Sequence, residues 1–309
     1  MVEQACNRAI GLDIGGTSIK AGATDQQGEP LVEARREQRE RDGYEQLLGR
    51  CTDLVHELAE DPERDPVGLG VPGLIDTSIG VVLESPNLPE LDGRPLARDL
   101  ARKLGRAEDS IGLENDANAA AVGEGWTGAG RDLPEFLLVT LGTGIGGGLI
   151  QNGQLVRGAG MAGEIGHVKI AAEDSPGLIE CGCGRRGCLE TLASATAAER
   201  RAGQAGLPLD LAVLTDRARA AAGPERDLLE AVGYDLGFGL GAAVNLLDLR
   251  AYVVGGGFSA ALDMLEPGVR KGLQASTYGD RLNGVRLEPA RLGARAGWIG
   301  AARVGLLRT

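Results

Sequence analysis

Histidine and aromatic residues are scarce in this chain: of 309 residues two are histidine, and only 3% are Phe, Trp or Tyr. Long apolar runs are missing as well. No stretch approaches the ~18 uninterrupted apolar residues that a membrane span needs, which argues against a membrane protein. The N-terminal stretch MVEQACNRAIGLDIGG lacks a basic segment followed by an apolar run and a small-residue cleavage site, so no secretory signal is expected. A cytoplasmic protein follows, in a compartment that keeps thiols reduced. Basic charge is short too, because 32 Lys and Arg against 44 Asp and Glu leave a formal net charge of −12. Nucleic acid is therefore not the expected partner. No G-x-x-x-x-G-K-[ST] loop is present, which excludes the P-loop enzymes.

The chain is rich in glycine, with 50 residues, and 43% of it is hydrophobic. That composition suits an α/β enzyme with many tight turns and close backbone approaches, and the length suits about two domains. A strand over Arg8–Ile14 runs into the glycines of DIGGTSIK, and SIKAGATD reads as its hairpin partner. Leu47, Leu48, Cys51, Leu54, Val55 and Leu58 recur at helical spacing. Strands in VGLGVPG, near Gly80–Leu83 and in SIGLEN follow, with a helix in PLARDLARKLG and another at DANAAAVGEGW. A second set opens with FLLVTLG and repeats the first in outline: strand, glycine turn, strand. A long helix carries the stripe Leu229, Val232, Leu236, Leu240, Val244 and Leu247. The strand AYVVGGG and a helix from about Ser259 come after it. The expected domains are 1–117 and 118–295, with a long insertion over 164–190 and a final helix over about 296–309 able to pack back on the first.

Two glycine clusters, each followed by a strand, could bring backbone N–H groups to phosphate oxygens, with Thr17 and Thr143 adding hydroxyls. Each alone reads equally well as an ordinary hairpin turn. Gly142, Gly144 and Gly147 also match G-x-G-x-x-G, but that dinucleotide fingerprint must open a helix, and GGLIQNGQLV reads as a strand and a turn. Asp116 sits where an apolar strand passes into a helix. By position alone it suits a helix N-cap, while a carboxylate there can also take the proton of an attacking hydroxyl. Neighbouring Asn115 suits sugar hydroxyls. His167, Cys181, Cys183 and Cys188 supply one imidazole and three thiolates, the ligand set of a closed tetrahedral zinc site. A closed site leaves no open position for substrate, so such zinc would fold the loop and hold Glu164 and Glu190 beside one ligand.

With DIGGTSIK, GLGVPGLID, ENDANAAAVGE, LGTGIGGG, GEIGH and CGCGRRGCLE assembled, the sequence resembles the ROK family, which joins sugar kinases to related repressors. The resemblance runs from Asp13 to the C-terminal helix. It implies an α/β, two-domain, actin-like (ribonuclease H-like) sugar-kinase ATPase fold with an interdomain cleft that closes on its substrates. It also implies phosphorylation of a hexose by ATP, most simply glucose at O6, with an N-acetylhexosamine such as N-acetylglucosamine or N-acetylmannosamine as the alternative. On this resemblance Asp116 is the general base, and Asn87, Asn115, Asp116, Glu164, His167 and Glu190 contact the sugar. Gly15, Gly16, Thr17, Lys20, Gly142, Thr143 and Gly144 hold ATP phosphates, Gly255 and Gly256 lie against the adenosine, and Asp13 reaches Mg²⁺ through water. His167, Cys181, Cys183 and Cys188 take structural Zn²⁺, and a homodimer is suggested. One departure is Leu91, where many glucokinase-like members have tryptophan. A sugar-responsive regulator is the rival reading, and the twelve residues before Asp13 are too few for a helix-turn-helix.

Overall fold

A computed structural model describes residues 8–38, 43–279 and 282–308. The N-terminal stretch before Arg8, read above for a signal, and Thr309 of the expected last helix lie outside the described residues. Along the chain come β1 (Ala9–Ile14), β2 (Ser18–Thr24), β3 (Pro30–Glu37), α1 (Tyr44–Leu58), β4 (Val67–Val71), β5 (Leu74–Asp76), β6 (Val81–Glu84), α2 (Leu96–Lys103), β7 (Ile111–Asn115) and α3 (Asp116–Trp126). Then follow β8 (Phe136–Leu141), β9 (Ile145–Gln151), β10 (Gln154–Val156), α4 (Glu190–Ala193), α5 (Ala195–Gln204), α6 (Leu211–Ala220), α7 (Pro224–Leu247), β11 (Ala251–Gly255), α8 (Leu262–Ser276), β12 (Arg286–Pro289) and α9 (Ala296–Leu306). No helix among the described residues is long and apolar enough to cross a membrane.

Two five-stranded sheets share one strand order, β3-β2-β1-β4-β7 and β10-β9-β8-β11-β12. The repeat heard in the two glycine-turn segments is thus a repeat of topology. β1 pairs antiparallel with β2 and parallel with β4, which in turn is parallel to β7. β11 lies parallel to both β8 and β12. Parallel strands buried on both faces need continuous apolar runs, and every residue of β4 and β11 is buried.

The chain divides into two compact units. One comprises the residues up to Pro134, Gly148–Ala162 and the residues from Arg291 on; the other comprises Glu135–Gly147 and Gly163–Ala290. This grouping differs from a boundary at residue 117, and the reason is the packing of α3. A Cβ at Gly300 of α9 would lie 1.6 Å from the carbonyl oxygen of Ala119, and one at Gly123 of α3 would lie 2.4 Å from that of Ala296. The two helices touch backbone to backbone, so α3 stays with the first sheet. α9 also lies directly on that sheet: Cβ atoms at Gly11 and Gly68 would fall 1.8 and 1.9 Å from the carbonyl oxygens of Trp298 and Ala301. Side chains there would push helix and sheet apart.

In the first unit the α1 stripe reads as expected, and all six of its residues are buried. In the second unit α7 and α8 interlock through glycines, with Gly233 and Gly237 facing carbonyls of Leu265 and Val269, and Gly268 and Gly272 facing those of Glu230 and Tyr234. Leu229 to Val244 of the α7 stripe are buried, but Leu247, its last member, is 40% exposed where the helix ends. A short 3₁₀ turn over Gly257–Ala261 precedes α8, which delays that helix from Ser259 to Leu262.

Candidate functional site

The first hairpin joins β1 to β2 through Gly15, Gly16 and Thr17. Gly15 donates its N–H to the Ser18 carbonyl at 3.0 Å, and the Gln38 side chain donates to the Gly15 carbonyl at 2.5 Å. Gly16 and Thr17 are exposed, and a Cβ at Gly16 would lie 3.5 Å from the Asn87 carbonyl oxygen, so the Asn87 loop meets the hairpin. Asp13 and Lys20 pair across the two strands at 3.6 Å. Gly297 of α9 leaves room for the Asp13 carboxylate, since a Cβ there would lie 2.7 Å from its Cγ. Burial pushes the Asp13 carboxyl up to about 6, Lys20 opposes that, and the negative charge of Asp116 adds to it.

Asp116 is the first residue of α3, but it is not the cap. Asn115 takes that role: its Oδ1 accepts the N–H groups of Ala117 and Asn118 at 2.9 and 3.1 Å. Its amide nitrogen donates to the Gly73 carbonyl at 3.1 Å. The N-cap reading of Asp116 therefore passes to its neighbour, and Asn115 is a scaffold of the site as well as a candidate contact. Burial raises the Asp116 carboxyl above its ordinary range, against the Ala117 N–H that favours the charged form. A carboxylate destabilised in this way is the stronger proton acceptor. Leu91, the departure noted in the sequence, is fully buried in a 3₁₀ turn after the Asn87 loop.

In the second unit Gly142, Gly144 and Gly147 lead into strand β9 and not into a helix, as the sequence reading expected, so their match to the dinucleotide fingerprint is one of spacing alone. Gly142 donates to the Gly144 carbonyl at 3.0 Å, closing the hairpin, with Thr143 exposed at its tip. Gly255 and Gly256 end β11 beside it. Gly256 has φ +85, and a Cβ there would lie 2.3 Å from the Leu141 carbonyl oxygen.

The loop between Glu164 and Glu190 folds back on itself. Leu189 N–H bonds the Val168 carbonyl at 2.9 Å, Ile170 N–H bonds that of Gly187 at 3.0 Å, and Cys181 N–H bonds that of Arg185 at 2.7 Å. These bonds bring together His167, Cys181, Cys183 and Cys188, whose ligand atoms all lie within 4.8 Å of one another. The spacing fits a metal. An ion with Zn–S about 2.3 Å and Zn–N about 2.0 Å holds two sulfurs about 3.8 Å apart, and sulfur and nitrogen about 3.5 Å apart. Cys183 and Cys188 sulfurs are 3.7 Å apart, and Cys181 sulfur is 3.5 Å from His167 Nδ1. A disulfide would need about 2.05 Å.

His167 turns its other nitrogen toward Glu164, with Nε2 3.9 Å from the carboxylate. Glu190, at the start of α4, accepts from Cys181 Sγ at 2.8 Å and lies 4.0 Å from His167 Nδ1. A Cβ at Gly144 would meet Glu190 Oε2 at 2.6 Å. Glu190 thus links the second glycine hairpin to the His/Cys cluster, a neighbourhood that sequence spacing does not reveal. Sequence reasoning also passed over Glu114, a buried carboxylate beside Asn115, whose one signal was an acidic residue inside an apolar strand.

Comparison with known proteins supplies the relatives. A profile of the ROK family matches residues 9–306. A glucokinase of Thermotoga maritima is 41% identical over 194 residues, spanning 62% of this chain and 59% of that protein. An N-acetyl-D-glucosamine kinase of Pasteurella multocida is 33% identical over 306 residues, covering 96% of this chain and 98% of that one. The crystal structure of a ROK family glucokinase from Streptomyces griseus, in complex with glucose and AMPPNP, superposes with a TM-score of 0.76 at 30% identity, covering 96% of this chain and 98% of that chain.

Proposed function

Because the chain belongs to the ROK family, and so has the actin-like α/β fold of its sugar kinases, we propose that it is an ATP-dependent sugar kinase acting on a hexose, with glucose O6 as the acceptor. The observation that carries the reading is Asp116, a carboxylate raised by burial at the head of α3 and relieved of capping by Asn115. In this reading Asp116 takes the proton as the acceptor oxygen forms its bond to the γ-phosphorus and the bond to the β-phosphate oxygen breaks, releasing ADP. Asn87, Asn115, Glu164, His167 and Glu190 take ring hydroxyls. The hairpin glycines with Thr17, Lys20 and Thr143 meet the phosphates, and Gly255 and Gly256 lie by the adenosine.

Mg²⁺ would neutralise phosphate charge there, and Asp13 would be the residue to hold it, through water. His167, Cys181, Cys183 and Cys188 would hold zinc as a closed site that braces the loop and takes no part in the chemistry. The full-length match to an N-acetyl-D-glucosamine kinase favours an N-acetylhexosamine as the second reading.

A coupled ADP-release assay over glucose, N-acetylglucosamine, N-acetylmannosamine and allose tests the proposal. Glucose is expected to give the highest kcat/KM. A preference for an N-acetylhexosamine moves the assignment to the second reading, and ATP turnover with none of the sugars removes the kinase reading altogether.

A further inference from the structure

Glu114, next to last in β7, keeps only 2% of its side chain exposed, yet it carries a carboxylate. A charge so deeply buried persists only when paired and hydrogen-bonded. Arg157 Nε donates to Oε2 at 2.6 Å, while Asn118 Nδ2 and the Asn115 N–H donate to Oε1, both at 3.1 Å. These groups line a cavity of about 290 Å³ in which Arg157 is the one cation among the described lining residues. The Asn118 Oδ1 is buried without a partner, and Asn118, a neutral amide, cannot replace the charge of Arg157.

Arg157 is tied down from its backbone as well. Its carbonyl accepts the N–H groups of Gly160 at 2.9 Å and Ala162 at 3.3 Å, closing a turn in which Gly158 and Gly160 have φ +56 and +107. Two residues beyond Ala162 the chain reaches Glu164. One side chain therefore fastens the strand end that carries Asn115 and Asp116 to the turn that runs on to the GEIGH glutamate. We propose that Glu114 and Arg157 form a positioning pair that locks the end of β7, and with it Asp116, to the turn over residues 157–162. The proposal rests on the sugar-kinase reading and gives these two residues a positioning role that acts through Asp116.

The test compares Arg157→Ala, Arg157→Lys and Glu114→Gln with the wild type. A misplacement of about 1 Å costs ~10² in rate, so Arg157→Ala is expected to lower kcat on the best sugar by about that factor, with the KM for ATP unchanged. Arg157→Lys should recover most of it, because a single contact through Nε needs the charge more than the fork. Glu114→Gln, which keeps the shape, should reproduce the loss if Arg157→Ala folds poorly. Hydrogen exchange on the free proteins gives a readout apart from turnover: amides of residues 115–118 and 158–162 should loosen together in Arg157→Ala. Wild-type constants in Arg157→Ala, no recovery with lysine, or loosening of only one segment overturns the pair. Failure of the kinase reading shows instead as no sugar-dependent turnover in the wild type.

Discussion

Asn115 caps the helix that Asp116 begins, accepting the Ala117 and Asn118 N–H groups at 2.9 and 3.1 Å. Asp116→Asn therefore leaves the helix start intact and tests the carboxylate alone. The expected result is a kcat lower by ~10² to 10⁴, the usual worth of a general base, with little change in sugar affinity. Steady-state kinetics with the best sugar decide it, and an unchanged kcat returns Asp116 to a structural role.

The His/Cys cluster predicts one zinc per chain. Cys183→Ser should lose the metal and lower the Tm, because structural zinc contributes its binding free energy to folding. Elemental analysis of untreated protein and a thermal melt read both quantities. Folded, active protein without zinc contradicts the assignment.

Glu190 shares its carboxylate with Cys181 Sγ at 2.8 Å and sits against Gly144. If Glu190 holds a sugar hydroxyl as proposed, replacing it with glutamine removes a charge-assisted hydrogen bond worth ~1.5 to 3 kcal/mol, which corresponds to a roughly tenfold to hundredfold loss of sugar affinity. ATP affinity measured without sugar should hold. Calorimetry on zinc-loaded Glu190→Gln separates these outcomes, and unchanged sugar binding takes Glu190 out of the site.

The Asp13 carboxyl makes stability depend on pH. In the folded protein burial holds it near 6, against the ordinary 3.8. Between those values the folded state binds more protons than the unfolded one, so this group's stabilisation is complete below about pH 4 and is lost as pH rises through about 6. Asp13→Asn should melt at higher temperature than the wild type at pH 7, by the equivalent of at most ~3 kcal/mol, and show no advantage at pH 4. Scanning calorimetry of the sugar-free, Mg²⁺-free proteins reads the gap. Parallel melting curves from pH 4 to pH 7 refute the assignment, and the same variant should be poorly active.

Much of this was legible because it is local. The Gly15–Gly16 turn, the α1 stripe and the trio Cys181, Cys183 and Cys188 rest on spacings of a few residues, with His167 in the same short segment, and β1, α1 and the cluster appear where those spacings put them. β3 was missed for a physical reason. As an edge strand it leaves Leu31 and Val32 exposed at 49% and 40% and mixes charges along both faces, so no alternation marks it. β12 is only four residues long. The pairing of Glu114 with Arg157, and of α3 with α9, depends on partners far apart in sequence. Glu124 is another such case: its buried carboxylate accepts the N–H groups of Ala129, Arg291 and Leu292, and nothing in its local sequence announces the last two.

The glycines beneath α9 also fix an order of events during synthesis. Gly11, Gly68 and Gly112 give β1, β4 and β7 a bare strip that the backbone of α9 covers at close range, with the Val304 side chain over Gly112. That helix is the last of the described elements to leave the ribosome. The strand bearing Asp13 and the strand leading to Asp116 are made early and wait for residues 296–306 to cover the glycine strip that α3 leaves bare. A nascent chain cut short before them would lack not a peripheral tail but the lid of its first sheet, and would offer chaperones and proteases that face instead.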